Sequence, residues 1–244
     1  MNRKRTATEE EHASRVRAMF GSISRRYDLL NHLLSGNTDK RWRRKVATEL
    51  SHALPRAAQL LDVACGTGDL ALTLFELLDA KLVGADFCRP MLEIAVVKAA
   101  RIGASIPFVE ADALALPFAD GSFDGVTIAF GLRNLASVED GLRELSRVLK
   151  PGGTAAILEF SEPRLPVFRT GFKLYFTKLL PLLGGIVSGS RSAYGYLPDS
   201  VLRFPNQERL AALMAEAGFE KVRYLDLTGG VAALHLGTRP PGTS

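Results

Sequence analysis

A short apolar run that carries an aspartate and then breaks into glycines, LLDVACGTGDL at residues 60–70, constrains this chain more than any other stretch. Branched residues over 60–64 favour a buried strand. Gly66-Thr67-Gly68 then permits a tight turn and close approach of a ligand to the backbone before a helical pattern begins. A second apolar run, 81–87, places Asp86 near its end. An acidic side chain there is positioned to accept hydrogen bonds from both hydroxyls of a ribose, which points to a nucleoside-containing cofactor. No Lys-Ser/Thr follows the glycines, which argues against a phosphate cradle of the nucleotide-triphosphatase kind. Asp69 and Leu70 follow Gly68, so the three-glycine dinucleotide spacing is incomplete. A GTG alone is equally a simple tight turn; Asp62, Gly66, Gly68 and Asp86 in register with two strands carry the cofactor reading.

The flanking rhythm sets the fold class. A strand at 60–64 precedes a helix near 69–78, and a strand at 81–86 precedes a helix at 91–101 with Pro90 suited to its first turn. A strand at 106–110 leads to Asp112-Ala113, and another at 123–130 ends at Gly131-Leu132-Arg133-Asn134. Helical periodicity over 138–149 stops at Lys150-Pro151-Gly152-Gly153, and a strand begins at 154–160. A helix at 206–217, with Asn206 as N-cap and Gly218 as stop, precedes strands at 221–227 and 231–236. Repeated units of this length predict an α/β fold with a mostly parallel sheet covered on both sides, closed by a final antiparallel hairpin. Ligands then gather at the C-terminal strand ends, where these polar turns fall.

Two segments depart from that rhythm. Residues 14–54 read as a mostly helical N-terminal extension interrupted around 34–37. Residues 163–203 are strongly apolar and punctuated by Pro181 and Gly184-Gly185. This insertion is either an added helical pair packed on the body or a cap lining a pocket for a greasy substrate. The 244 residues suit one domain spanning 1–244 with such additions.

Charge and composition exclude several classes. Hydrophobic residues make up 47% and charged residues 23%, as in a globular protein. Cys65 and Cys88 are the only cysteines, which disfavours a disulfide scaffold, and the four histidines form no zinc spacing with them, so no metal is expected. Residues 1–45 hold 12 Lys/Arg against 5 Asp/Glu, whereas the remainder holds 19 against 21. A basic extension on a near-neutral body suits an anionic membrane face or nucleic acid, and equally a solvated helix. Residues 1–13 lack an apolar signal core, and the apolar stretch 179–187 is too short to span a bilayer. A cytoplasmic protein, peripheral at the inner membrane face, is expected.

The pattern resembles the class I S-adenosylmethionine-dependent methyltransferases and, over 16–238, the ubiquinone/menaquinone biosynthesis C-methyltransferase family. The resemblance rests on MFGSISRRYDLLNHLLSGNTDKRWRR at 19–44, DVACGTGDL at 62–70, GADFCRPML at 84–92 and DALALPFADGSFD at 112–124. It continues through FGLRNL at 130–135, LKPGG at 149–153, EF at 159–160, LTGG at 227–230 and ALH at 233–235. It implies a Rossmann-like fold with a seven-stranded sheet and one antiparallel terminal strand. It also implies S-adenosylmethionine as cofactor and C-methylation of a polyprenylated quinol, demethylmenaquinol or a ubiquinol precursor.

By motif, the resemblance sets the cofactor against Gly66, Thr67, Gly68, Asp86, Asp112 and Ala113. Asp62 either orients the methionine ammonium or holds the loop. Where many relatives carry a small hydroxyl side chain, this chain has Ala129 and lacks that contact. Arg133 and Asn134 are the catalytic candidates: Arg133 to stabilise developing phenolate charge or organise a water, Asn134 to orient the quinol oxygen. Their alternative is a turn that ties down the cap. Tyr27, Asp28 and Asn31 are candidates to close over the cofactor, against a local polar network. His235 is an acid/base candidate or a structural histidine, and Trp42 an interfacial or a buried aromatic beside solvent-facing arginines. A homodimer or a quinone-biosynthesis complex is a further possibility. The near-neutral body opposes an RNA-directed enzyme, so no nucleic-acid partner is expected, and the greasy insertion opposes a soluble phenol as substrate.

Overall fold

The structure, a computed structural model, describes residues 6–163 and 199–242, with the side chains of 25–27 and 29–34 outside that description. The chain opens with α1 (Ala7–Leu34) and α2 (Thr38–Ala53). Helix α1 starts well before residue 14. Thr6 and Glu9 form a reciprocal capping box, in which the Glu9 N–H donates to Thr6 Oγ1 and the Thr6 N–H to Glu9 Oε2. The left-handed Asn37 (φ 60°) separates the two helices.

Alternation follows: β1 (Ala58–Val63), α3 (Asp69–Leu77), β2 (Ala80–Asp86), α4 (Arg89–Arg101), β3 (Phe108–Glu110), β4 (Phe123–Ala129), α5 (Val138–Val148) and β5 (Leu149–Phe160). Then come α6 (Gln207–Glu216), β6 (Glu220–Leu227) and β7 (Ala232–Thr238). The seven strands lie in the order β3-β2-β1-β4-β5-β7-β6. Only β7 runs antiparallel, wedged between β5 and β6. This is the Rossmann-like α/β arrangement with its antiparallel terminal strand.

Period-two alternation splits the core. Leu60, Leu82, Leu158 and Leu234 pack under Val46, Leu50, Leu70 and Leu74 of α2 and α3. On the other face Leu61, Val126, Ile157 and Ile128 meet Leu142 and Leu145 of α5 and Leu213 and Met214 of α6. Two of the boundaries that differ from expectation have a clear physical reason. Strand β3 begins after Pro107, which has no N–H to donate, although its carbonyl accepts from the Gly84 N–H at 2.9 Å. Strand β5 begins at Leu149, paired with Phe123, and pairing resumes at Gly125↔Thr154, so the Pro-Gly-Gly segment is an irregularity within a strand.

Parallel neighbours β2 and β4 flank β1, and the strand order reverses between β1 and β4. The crevice beyond those two strand ends is the ligand position this topology creates. Residues 164–198 of the expected insertion lie outside the described residues.

Candidate active site

The loop after β1 is built on left-handed backbone at Ala64 (φ 50°), Gly66 (φ 55°) and Gly68 (φ 82°). A Cβ on Gly68 would also sit 3.1 Å from that of Ala95. Three hydrogen bonds fasten the loop: Cys65 N–H to Ala85 O at 3.0 Å, Gly68 N–H to Cys65 O at 2.9 Å and Gly66 N–H to Asp86 Oδ2 at 2.8 Å. The second Asp86 oxygen accepts from the Cys88 N–H at 2.8 Å. Asp86 therefore organises the loop and, at the end of β2, also lines a cleft. That cleft encloses ≈ 690 Å³ including its open mouth and is further lined by Gly66, Asp112, Ala113, Asn134, Phe20 and Ala13. Asp112 Oδ1 accepts from the Leu114 N–H at 3.0 Å, holding its own turn.

Burial dominates the electrostatics. It pushes the Asp86 carboxyl up to about 6, against the opposing pull of the Cys88, Gly66 and Phe87 N–H groups and the Arg17 charge. Asp62, 1% exposed at the end of β1, is pushed up to about 7 by burial, opposed by the Thr127 hydroxyl at 2.7 Å. The Ala71 N–H lies close enough to favour its carboxylate, yet among the described residues Oδ2 has no partner in hydrogen-bond geometry. A buried carboxylate with an orphaned oxygen, beside a glycine loop, fits the ammonium of a methionine moiety. Asp86 on the cleft wall fits paired ribose hydroxyls, and small Ala113 leaves room for a flat ring. The residues present fit S-adenosylmethionine. Burial, with the Asp62 and Asp86 charges, raises the Cys65 thiol well above its ordinary value, so it stays protonated.

Thr67 is 2% exposed and its hydroxyl donates to Asp28 Oδ1 at 2.5 Å. Lys98 of α4 donates to Asp28 Oδ2 at 2.9 Å and to Asp69, while Arg43 bridges Asp39 at 2.6 Å and Asp69 at 3.2 Å. The Thr67 side chain thus faces α1 rather than the cleft, and Asp28 secures α1 to the glycine loop. The side chains of Tyr27 and Asn31 lie outside the described residues.

The turn after β4 follows Phe130, which adopts φ 56°. The Arg133 side chain is 5% exposed and paired with Glu159 (2%) at 2.6 Å. Its guanidinium also donates to the Phe130 carbonyl at 2.5 Å and lies over the Phe160 ring at 5.3 Å, while its buried Nε has no partner. Arg133 is therefore committed to a buried ion pair and does not line the cleft. Asn134 does: its Nδ2 donates to the Phe130 carbonyl at 3.1 Å, and its buried Oδ1 has no partner among the described residues. The His12 ring of α1 donates from Nε2 to the Asn134 carbonyl at 3.2 Å.

His235 sits elsewhere. It is 1% exposed within β7, bonded through Nε2 to the Gln207 carbonyl at 2.9 Å, packed on Tyr224, and lowered in pKa by burial. Its Nδ1 has no partner. Trp42 is buried against Phe130 and Phe160 and donates to Thr228 Oγ1 at 2.9 Å. Of its neighbours Arg41 and Arg44 are exposed, but Arg43 is buried in its ion pairs.

Sequence reasoning looked to Tyr27, Asp28 and Asn31 of α1 for closure over the cofactor and missed the earlier turns of that helix. Ala13 and Phe20 line the cleft, Val16 is buried and Arg17 lies over the Phe87 ring at 5.4 Å. The i, i+3, i+7 spacing of Ala13, Val16 and Phe20 was the available signal. Glu159 entered only as part of the EF motif at 159–160, with no role attached, and Lys98 carried no signal outside the fold.

The chain resembles known proteins over nearly its full length. It is 54% identical to the demethylmenaquinone methyltransferase of Thermus thermophilus, covering 91% of this chain and 100% of that one. It is 47% identical to the demethylmenaquinone methyltransferase of Deinococcus radiodurans, over 98% of each. The ubiquinone/menaquinone biosynthesis C-methyltransferase UbiE of Geotalea uraniireducens is 45% identical over 94% of this chain and 98% of its own. Among solved structures, a SAM dependent methyltransferase from Aquifex aeolicus superposes with a TM-score of 0.60 at 20% identity, covering 80% of this chain and 88% of that one. The [4+2]-cyclase SpnF gives 0.67 at 18%, covering 92% and 95%. That a cyclase shares the frame confines these two likenesses to fold. Residues 6–239 match the model of the ubiE/COQ5 methyltransferase family, and with the S-adenosylmethionine-compatible cleft built from its motifs, the chain belongs to that family of class I methyltransferases.

Proposed function

We propose that this enzyme methylates a ring carbon of a polyprenylated demethylmenaquinol, giving menaquinol. The observation that carries the reading is Asn134 Oδ1, a buried acceptor without a partner among the described residues, on the wall of the cleft that Asp86 also lines. A quinol hydroxyl is a donor that would satisfy it. The names of the Thermus and Deinococcus relatives supply the naphthoquinol ring.

Bound S-adenosylmethionine supplies a methyl group already activated by a sulfonium, so the protein's task is alignment and exclusion of water. Asp86 would hold the ribose end and Asp62 would attract the methionine ammonium, with the Gly66–Gly68 backbone letting that end approach. Thr67 contributes backbone here, since its hydroxyl is bonded to Asp28. Asp112 would accept from the adenine amino group, and small Ala113 would leave room for the ring. Asn134 orients the ring hydroxyl so that the adjacent carbon faces the methyl. Arg133 acts through the turn: its bond to the Phe130 carbonyl, shared with Asn134 Nδ2, fixes where Oδ1 points. Ala13 and Phe20 of α1 line the cleft, and His12 ties that helix to the Asn134 carbonyl.

A benzoquinol substrate is the second reading, favoured by the name of the Geotalea relative. Labelled S-adenosylmethionine offered with both reduced quinols decides between them. Turnover of neither would refute the reading; preference for the benzoquinol would replace the first substrate with the second.

Access to so apolar a substrate requires a visit to a membrane surface. No helix among the described residues is long and apolar enough to cross a membrane. The seven-charge basic excess over 1–45 suits anionic headgroups, and the apolar insertion at 163–203 suits the polyprenyl chain. Co-sedimentation with anionic liposomes should be strongest at low salt, with a quinol-dependent part that resists salt. No binding at low salt even with embedded quinol would refute surface access.

A further inference from the structure

The Arg133 guanidinium is a buried cation behind the wall of the cleft, one residue from Asn134, which lines it, and that cleft must accept a cationic donor. Left alone, that charge would oppose the sulfonium. It is not left alone: Glu159 meets it at 2.6 Å, with the two side chains 2% and 5% exposed. Both Glu159 oxygens are engaged there, Oε1 by the guanidinium and the Phe160 N–H at 3.0 Å, and Oε2 by the Arg133 N–H at 3.2 Å. The acidic side chains Asp86 and Asp112 line the same cleft. With Glu159 in place the β4 turn contributes no net charge and the carboxylates set the sign of the cavity.

Methyl transfer abolishes the donor's sulfur charge. S-Adenosylmethionine carries a sulfonium, whereas the product S-adenosylhomocysteine is a neutral thioether of nearly the same shape. We infer that Glu159 is a specificity residue for the charge state of the cofactor: by cancelling Arg133 it lets the cleft prefer the sulfonium over the spent thioether. This rests on S-adenosylmethionine occupying the cleft and is independent of which quinol is methylated. A like charge within about 10 Å, at an effective dielectric of about 20, would weaken cation binding on the order of tenfold and leave a neutral ligand unaffected.

Calorimetric titration of both ligands into the full chain tests this in E159Q, R133M and the double variant R133M/E159Q. E159Q should bind S-adenosylmethionine on the order of tenfold more weakly and S-adenosylhomocysteine within about twofold of the original. The double variant, with neither charge, should recover the original ratio of the two affinities. Equal loss for both ligands in E159Q would mean that Glu159 only holds the turn in place, and a ratio still depressed in the double variant would rule out charge as the cause. Should E159Q not fold, the comparison of R133M with the double variant decides. R133M retains an uncompensated carboxylate and should show the higher preference for the sulfonium; equal ratios would overturn the inference.

Discussion

Ionisation of the two buried strand-end carboxylates should be coupled to cofactor capture, and pH is the perturbation that reveals it. Asp86 is raised to about 6 and Asp62 to about 7, in both cases chiefly by burial. An exposed aspartate titrates at about 3.9, so charging Asp86 in the cofactor-free protein costs on the order of 3 kcal/mol. The folded-state value lies above the unfolded one. Protonation therefore favours the folded state, and this stability is present below about pH 4 and lost as pH rises through 6 and 7. Binding has the opposite sign. Ribose hydroxyls, an ammonium and a sulfonium all favour the carboxylates, so S-adenosylmethionine should bind more tightly as pH rises and should release protons on binding. If binding restores Asp86 to an ordinary value, affinity rises about tenfold between pH 5 and pH 7 from that group alone, and Asp62 adds to it. Titration calorimetry at pH 5, 6 and 7, in buffers of different ionisation enthalpy, measures affinity and proton release together. Asp62→Asn should flatten part of the profile. A dissociation constant independent of pH with no protons released would refute the assignment of these carboxylates to the cofactor.

Three further outcomes are expected. Asn134→Ala should lower turnover at least about tenfold, the worth of one hydrogen bond, with S-adenosylmethionine affinity in calorimetry near its original value; unchanged turnover would remove Asn134 from substrate alignment. Lys98→Met takes the shared cation from Asp28 and Asp69, so α1 should loosen from the glycine loop. Cofactor dissociation should then rise several-fold in stopped-flow measurements while the thermal midpoint drops only slightly, because these groups are partly exposed. Trp42→Phe removes the bond to Thr228, worth about 1 kcal/mol, and should lower Tm by about 2–4 °C in a domain of this size; an unchanged midpoint would show that bond to be dispensable.

The parallel core was legible because each of its signals is local. Leu60 and Leu61 alternate between the two faces of the sheet, Asn206 caps α6 by accepting from the Arg209 N–H at 2.9 Å, and Gly218 ends that helix with φ 91°. Asp86 was legible as a strand-end carboxylate for the same reason. What escaped is non-local. Glu159 and Arg133 are 26 residues apart, and their pairing exists only because β4 and β5 are neighbours. From sequence, Arg133 reads as an available cation; in the fold it is a neutralised one. Thr67 misled in the same way, since the Asp28 that turns its hydroxyl from the cleft lies 39 residues away on α1. His235 is the structural histidine that was one of its two sequence readings, buried in β7 between β5 and β6.

Two strained residues explain why the halves of the site are bound to act together. Ala64 and Phe130 each follow a central strand and each takes a left-handed φ, a conformation costing a non-glycine residue about 1 kcal/mol or more. Their strands are adjacent, so the loops that leave them face each other across the point where strand order reverses. The approach is close: a Cβ on Gly131 would lie 2.6 Å from the Ala64 Cβ. Neither loop can shift toward the other without collision, and the Cys65 bond to β2 and the Arg133 pair with β5 anchor them on opposite sides. The glycine loop that receives the methionine end and the turn that presents Asn134 are consequently held at one fixed separation. For a reaction whose methyl group arrives already activated, that fixed separation between donor and acceptor is the principal thing the protein has to supply.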